Sequence, residues 1–374
     1  MIVRWTCTIG RGHADRMPLR PSLLATLVAV LWGANFVVID LGLGDLPPTL
    51  FVALRFAVVL VPAIFLVPRP TARWRDVLLV GLFMSLGQFG LLYTALSLGM
   101  PPGLASLVLQ AQVGLTVLFA ALSLRESPTR RQVVGVVVGA LGLLVVGLGR
   151  SETTPALAFL LTLAAASSWA VGNVVARRAG RRDRSTTSRD QRSTSRDQRS
   201  TSRDQRSTSR DQRSTSRDRG APSRGRRGAP AWADGLSMTV WSALVVPVPL
   251  LGLSLWVDGP DAVGHALTHL TLAPVLSTLY TAWLASLVGY GVWNGLLARY
   301  PASAVVPFTM LVPPVGILAA WLVLGEVPNP AEATGGVVLL LGVAITTGVL
   351  RRDTPRIAVA ARTPARSNGG PGRP

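Results

Sequence analysis

Residues 101–126, PPGLASLVLQAQVGLTVLFAALSLRE, align without a gap on residues 301–326, PASAVVPFTMLVPPVGILAAWLVLGE, at an offset of 200. Each copy begins at a proline, and each ends in Leu-x-Glu: Leu124-Arg125-Glu126 and Leu324-Gly325-Glu326. Between those ends lies an apolar run near the length of about 20 residues that a helix needs to cross a 30 Å hydrocarbon layer. Gly135 and Gly142 match Gly335 and Gly342 at the same offset. Farther upstream, Trp32-Gly33-Ala34-Asn35 parallels Trp169-Ala170-Val171-Gly172-Asn173. The chain is a duplication, and its unit is a set of membrane-length helices.

Working outward, ten apolar segments read as spanning helices: 22–39, 49–67, 77–98, 103–124, 132–148, 156–176, 236–257, 272–298, 303–324 and 334–350. The duplication assigns five to each half, and an odd number makes the second half enter the membrane upside down. The predicted fold is an all-α membrane protein of ten transmembrane helices in two inverted five-helix repeats. Inverted repeats with a site at their interface are a transporter design, because one half can rock against the other. The arginines orient the chain. Thirty-five of them fall in the tails and in the loops after even-numbered spans, Arg150 alone lies in the opposite loops, and Arg55 lies within the second span. By the positive-inside rule both termini are cytoplasmic and the protein sits in the inner membrane.

The domain plan is a tail over 1–21, a first repeat over 22–150, the first helix of the second repeat over 151–180, a loop over 181–231, the rest of the second repeat over 232–350, and a tail over 351–374. The loop contains four copies of Gln-Arg-Ser-Thr-Ser-Arg-Asp, starting at Gln191, Gln198, Gln205 and Gln212. With no apolar side chain in the repeat there is nothing to bury, so disorder is expected, as it is for the C-terminal tail. Met17 precedes a basic-then-apolar run and reads as the translational start, while residues 1–16 lack the apolar core of a signal peptide.

Composition excludes several function classes. Apolar residues make up 49% of the 374 and charged residues 15%, far under the quarter usual in soluble domains. The net charge of +19 comes wholly from arginine, since lysine is absent, and it concentrates in the 181–231 loop. That loop has no aromatic residue between Gly180 and Pro230 on which a base could stack, so no nucleic-acid partner is expected. Cys7 is the sole cysteine, His265 and His269 form a two-ligand pair in a polar loop, and no metal or cofactor is expected. The spans carry no paired carboxylates or nucleophile elbow, and the chain has no phosphate-binding glycine loop. An enzyme and an ATP-driven pump are therefore both unsupported.

Polar groups at membrane depth are costly and mark the candidate site. Trp32 and Asn35 share a helix face, as do Trp169 and Asn173 in the other half. Gln88 and Tyr93 come from the third span, and Tyr290, Trp293 and Asn294 from the eighth. Gln110 and Gln112 lie about 200° apart on an ideal helix and should not line one cavity; Gln110 is the candidate. These ten are the expected substrate contacts, although membrane Asn and Gln also serve simply to join helices. Arg55 could hold a carboxylate, but snorkelling or pairing with Asp40 or Asp45 near the outer surface is the favoured reading. Glu126 and Glu326 close matched helices at opposite faces and suggest gating or packing, or plain helix termination.

These residues resemble the EamA-type branch of the drug/metabolite transporter superfamily. The resemblance rests on residues 31–39 (LWGANFVVI), Leu46-Pro47-Pro48, Leu54-Arg55-Phe56, and the run 99–112 (GMPPGLASLVLQAQ). In the second half it rests on residues 161–166 (LTLAAA), Trp169, Gly172-Asn173, residues 241–244 (WSAL), Gly289-Tyr290-Gly291 and Leu311-Val312-Pro313. The run ending in Gln110-Ala111-Gln112 points to the amino-acid exporters, of the cysteine/O-acetylserine type. The resemblance implies a central cavity, secondary transport without ATP, and export of small amino-acid-like metabolites. A broader drug or aromatic-metabolite exporter is the second expectation, and a membrane scaffold displaying the basic loop is the third. A small metabolite and the bilayer are the expected partners, with a homodimer left open. Asp40 departs from the family pattern, which commonly has Lys there, and the 181–231 insert is foreign to it.

Overall fold

The computed structural model describes residues 17–179, apart from 71 and 153, and residues 231–349. The repeats at 191–218, the residues before Met17 and the tail after Val349 lie outside the described residues. Ten helices there are long and apolar enough to cross a membrane. They are α1 (Leu19–Leu43), α2 (Pro48–Leu66), α3 (Trp74–Ser97), α4 (Pro102–Leu124), α5 (Arg130–Leu148), α6 (Ala156–Ala179), α7 (Leu236–Val257), α8 (Leu272–Arg299), α9 (Val306–Leu324) and α10 (Pro330–Thr347). No strand occurs among the described residues. A short helix, Pro260–Thr268, connects α7 to α8. The exterior is apolar as lipid contact demands: Phe65 is 86% exposed and Leu122 73%.

The offset of 200 governs backbone conformation as well as sequence. Thr129 caps α5 in a capping box with Gln132, and Asn329 caps α10 in the same box with Glu332. In each Leu-x-Glu the middle residue ends its helix in the left-handed region, Arg125 at φ 51° and Gly325 at φ 71°. Glycine adopts that conformation without cost; Arg125 is the one non-glycine with positive φ among the described residues. The third helix of each half carries a π-helical stretch, Gly81–Gly87 in α3 and Tyr280–Val288 in α8. The fourth helix of each half is interrupted: α4 breaks between Val108 and Ala111, and α9 opens with the 3-10 stretch Val306–Leu311.

Glycines set where the halves meet. A Cβ on Gly142 of α5 would lie 2.7 Å from the Gly335 carbonyl and 2.8 Å from Leu339 Cα of α10. Gly335 and Gly342 make the reciprocal approaches to Gly142 and Gly139. The two helices cross backbone on backbone, which only residues without a side chain permit. Similarly, Gly33 of α1 leaves 2.6 Å to Val315 of α9 for a Cβ, so the first half's entry helix seats directly on the second half.

The π segments do a related job. A π turn shifts carbonyls from i+4 to i+5 amides, and each carbonyl keeps a second lone pair for an outside donor. Trp32 Nε1 of α1 donates to the Ala285 carbonyl of α8 at 2.9 Å, and Ser168 Oγ of α6 donates to the Phe83 carbonyl of α3 at 2.8 Å. Each half's first helix is thereby bonded to the widened turn of the other half's third.

Candidate functional site

Between the halves lies a cavity of about 380 Å³. That volume falls within the range of roughly 300–1,000 Å³ typical of small-molecule sites. Its wall takes Trp32, Asn35, Gln88, Gln110, Trp169, Asn173, Tyr290, Trp293 and Asn294, nine of the ten expected contacts, and brings them together from both halves. Tyr93 is the exception. It is fully buried behind the wall, edge-on to Phe51 and Phe89.

Gln112 joins Gln110 on the wall, against the expectation from an ideal helical wheel. The physical reason is the break in α4, because the turn at Leu109 and Gln110 resets the angular relation of the residues flanking it. Phe36, Met84, Phe89, Ser106, Thr239 and Thr309 also line the cavity, and the sequence reading missed them. For Thr309 and Ser106 the irregular stretches of α9 and α4 carried a signal in the Pro-rich 301–314 and 101–102 runs; the apolar residues had none.

The aromatic lining is tightly organised. The Trp32 ring packs against Tyr290 at 5.1 Å and Trp293 at 5.3 Å between centroids, both tilted. The Trp–Asn pairs of the two halves are not equivalent in use. Asn173 Nδ2 donates to Gln112 Oε1 at 3.1 Å, so this amide joins α6 to α4. Asn35 is 8% exposed, and its Oδ1 has no hydrogen-bond partner among the described residues. Gln88 and Gln110, at 4% and 6% exposure, make no side-chain hydrogen bond among them either.

Arg55 corrects a favoured expectation. It neither snorkels nor pairs with Asp40 or Asp45. It lies seven residues into α2, only 2% exposed, and is the one charged residue in the cavity wall among the described residues. Nη1 donates to Tyr93 Oη at 3.0 Å and Nη2 to Ser286 Oγ at 3.1 Å, and the guanidinium carbon stands 4.2 Å from the Phe89 ring centroid. Nε has no partner, and no carboxylate of the described residues comes within ion-pair distance. Burying an ion costs several kcal/mol, and two neutral hydroxyls with one ring face, worth about 2 kcal/mol when desolvated, offset only part of that.

The matched glutamates sit at opposite ends of the halves' interface. Glu126 forms an ion pair with Arg177 of α6 at 3.1 Å. Glu326 Oε2 instead accepts from the Gly103 backbone N–H at 3.4 Å, at the start of α4. Burial pushes the Glu326 carboxyl up from its ordinary value, the Gly103 N–H opposes this, and the negative charges of Asp40 and Glu332 add to it. Nearby, Glu332 accepts from the Ser151 N–H, and Asn329 Nδ2 donates to the Gly149 carbonyl, a further tie between the halves. His265 and His269 stack on each other at 4.1 Å between centroids.

Known proteins give the same fold and more. The sequence profile of the EamA-like transporter family matches residues 19–148, the whole first half, and 227–348, the second half from α7 onward. The chain belongs to the EamA-like transporter family. It is 35% identical over 345 residues to the "Probable amino-acid metabolite efflux pump" of Salmonella typhimurium, covering 91% of this chain and all of that one. The protein of the same name from Escherichia coli is 35% identical over 337 residues, 90% of this chain and 97% of its own. A "Probable terminal-alkyne amino-acid exporter" of Streptantibioticus cattleyicolor is 31% identical over 127 residues, 34% of this chain and 38% of that one. A crystal structure with 19% identity superposes with a TM-score of 0.51, over 90% of this chain and 99% of the other, and shares the fold. As an EamA-like transporter with ten apolar helices, the protein is a multi-pass protein of the inner membrane.

Proposed function

We propose that this protein is a secondary transporter that exports small amino-acid-like metabolites, of the cysteine/O-acetylserine type, by alternating access. The observation that carries the reading is the cavity itself. It lies between two inverted halves, within the size range of a single metabolite, and is lined by Trp–Asn pairs contributed by each half. The relatives named as amino-acid metabolite efflux pumps, aligned over nine-tenths of the chain, support the substrate class. The arginine distribution supports cytoplasmic termini, and transport rather than catalysis is the activity. Substrate enters against Trp32, Asn35, Gln88, Gln110, Trp169, Asn173, Tyr290, Trp293 and Asn294. Rocking of the halves about the α5–α10 crossing exposes it alternately to the two sides. The six-aromatic wall of Trp32, Phe36, Phe89, Trp169, Tyr290 and Trp293 favours a second reading, in which larger aromatic metabolites are also carried.

Uptake of radiolabelled amino acids, including cysteine and O-acetylserine, into everted vesicles tests the proposal, with and without an imposed pH gradient. Saturable uptake that falls at least about tenfold in Asn35→Ala is expected, the scale of one lost buried polar contact. No saturable uptake of any amino acid by folded, inserted protein would refute it. Normal uptake by both Asn35→Ala and Asn173→Ala would refute the site.

A further inference from the structure

The cavity wall is electrically one-sided. It carries one cation and, among the described residues, no carboxylate. Beside the unbonded Gln88 and Gln110 amides, two of its fully enclosed side-chain atoms lack any hydrogen-bond partner there: the donor Arg55 Nε and the acceptor Asn35 Oδ1. Both side chains are more than nine-tenths buried, and both belong to this one wall. Buried polar groups are almost always paired in proteins, so two complementary exceptions in one cavity describe what complements them. An N–H on a guanidinium calls for an anionic oxygen, and the planar fork suits a carboxylate better than any neutral group. An amide oxygen calls for a donor such as an ammonium.

The remaining geometry keeps Arg55 in that role. Tyr93 and Ser286 occupy Nη1 and Nη2, and Phe89 covers one face of the guanidinium at 4.2 Å. Nε is the guanidinium nitrogen left without any partner among the described residues. Tyr93 belongs to the first half and Ser286 to the second, so the cation is held by both sides of the interface at once. Ser286 is itself oriented by donating to the Thr281 carbonyl at 2.8 Å, within the π stretch of α8.

Resting on the transporter reading above, we propose that Arg55 binds the substrate's carboxylate and Asn35 its ammonium, so that the site selects free α-amino acids over esters and decarboxylated amines. The aromatic rings of Trp32, Tyr290 and Trp293 then receive the side chain, which they contact by shape and polarizability rather than by charge. Selectivity is therefore strict at the carboxylate and broad at the side chain. Arg55 acts by direct contact, while Tyr93 and Ser286 are positioning residues.

The test is competition in everted vesicles containing the full-length protein. Labelled L-cysteine, O-acetyl-L-serine and L-phenylalanine are each challenged with the unlabelled acid, its methyl ester and its decarboxylated amine; competition avoids passive leakage of the neutral probes. The acid is expected to compete about 10- to 100-fold better than its ester or amine, the range for one hydrogen bond to a charged group. In Arg55→Gln that ratio should fall toward one, Arg55→Lys should restore part of it, and Tyr93→Phe should retain most of it. Equal competition by acid and ester in the wild type overturns the proposal without any variant, as does an unchanged ratio in inserted Arg55→Gln. If the wild type takes up none of the three acids, the transporter reading fails instead, which is a distinct result.

Discussion

Replacing Gly142 with alanine isolates what the backbone crossing of α5 and α10 contributes. The added Cβ would stand 2.8 Å from Leu339 Cα and closer still to Leu339 N, where ordinary contact begins at 3.4 Å, so the helices must part by about 1 Å. A gap of roughly that size forfeits a quarter to a half of the dispersion well of each atom pair. For about thirty pairs at ~0.15 kcal/mol each, the loss is on the order of 1–2 kcal/mol. Alanine also stiffens a helix that glycine leaves loose, a gain of up to ~1 kcal/mol. The proper reference is therefore Gly252→Ala in α7, where a Cβ meets nothing within 4 Å and the gain acts alone. Unfolding in mixed micelles with increasing dodecyl sulfate should place Gly142→Ala below Gly252→Ala by about 1–2 kcal/mol. Gly342→Ala, which meets the Gly139 backbone at the same crossing, should cost less in the double variant than alone, because the helices have already moved apart. Equal stability of Gly142→Ala and Gly252→Ala within ~0.3 kcal/mol would refute the reasoning and show that the crossing yields freely.

Two further outcomes are expected. The raised Glu326 carboxyl makes the folded protein the tighter proton binder, so this group's contribution is full below the ordinary value of 4.5 and is lost as pH rises through the folded value. Thermal unfolding in detergent as a function of pH should therefore show a loss of stability above pH 4.5 that Glu326→Gln flattens, and an unchanged profile in that variant would count against it. Deleting residues 181–231 should leave vesicle uptake within about twofold of the wild type, since surface loops tolerate length changes at small energetic cost; loss of uptake in inserted protein would transfer function to the loop.

Much of this was legible beforehand, for physical reasons that particular residues show. The 101–126 and 301–326 runs disclosed both the spans and the duplication, because lipid imposes an apolar length that no soluble helix needs. The paired Trp–Asn motifs disclosed the cavity, because polar groups at membrane depth must be satisfied somewhere. Ideal helix geometry failed where the helices are not ideal. Gln112 was assigned away from the cavity by a wheel that the break after Val108 invalidates. The π stretches left no trace, since Gly81–Gly87 and Tyr280–Val288 occupy equivalent places yet share no sequence pattern. Snorkelling or an Asp partner was expected of Arg55 because its position in α2 is within reach of a surface by length alone. Only tertiary packing shows Tyr93 and Ser286 holding it inward, and the same packing removes Tyr93 from the wall.

The two halves agree in scaffold and differ in chemistry, and that division explains how one duplication can yield a selective path. Caps, left-handed helix ends, π turns and helix breaks recur at the same offset. A site with the same symmetry would present every charge twice and would suit a symmetric ligand. The residues at this wall have instead diverged. α7, the counterpart of α2, holds no charged residue at all, so Arg55 stands without a mirror image. Asn173 donates its amide to Gln112, whereas its counterpart Asn35 has an enclosed Oδ1 with no partner among the described residues. A single cation among neutral amides gives the cavity a direction, and a zwitterion has one too. On the proposed mechanism the scaffold's symmetry serves the motion, and the broken symmetry of its polar atoms serves recognition.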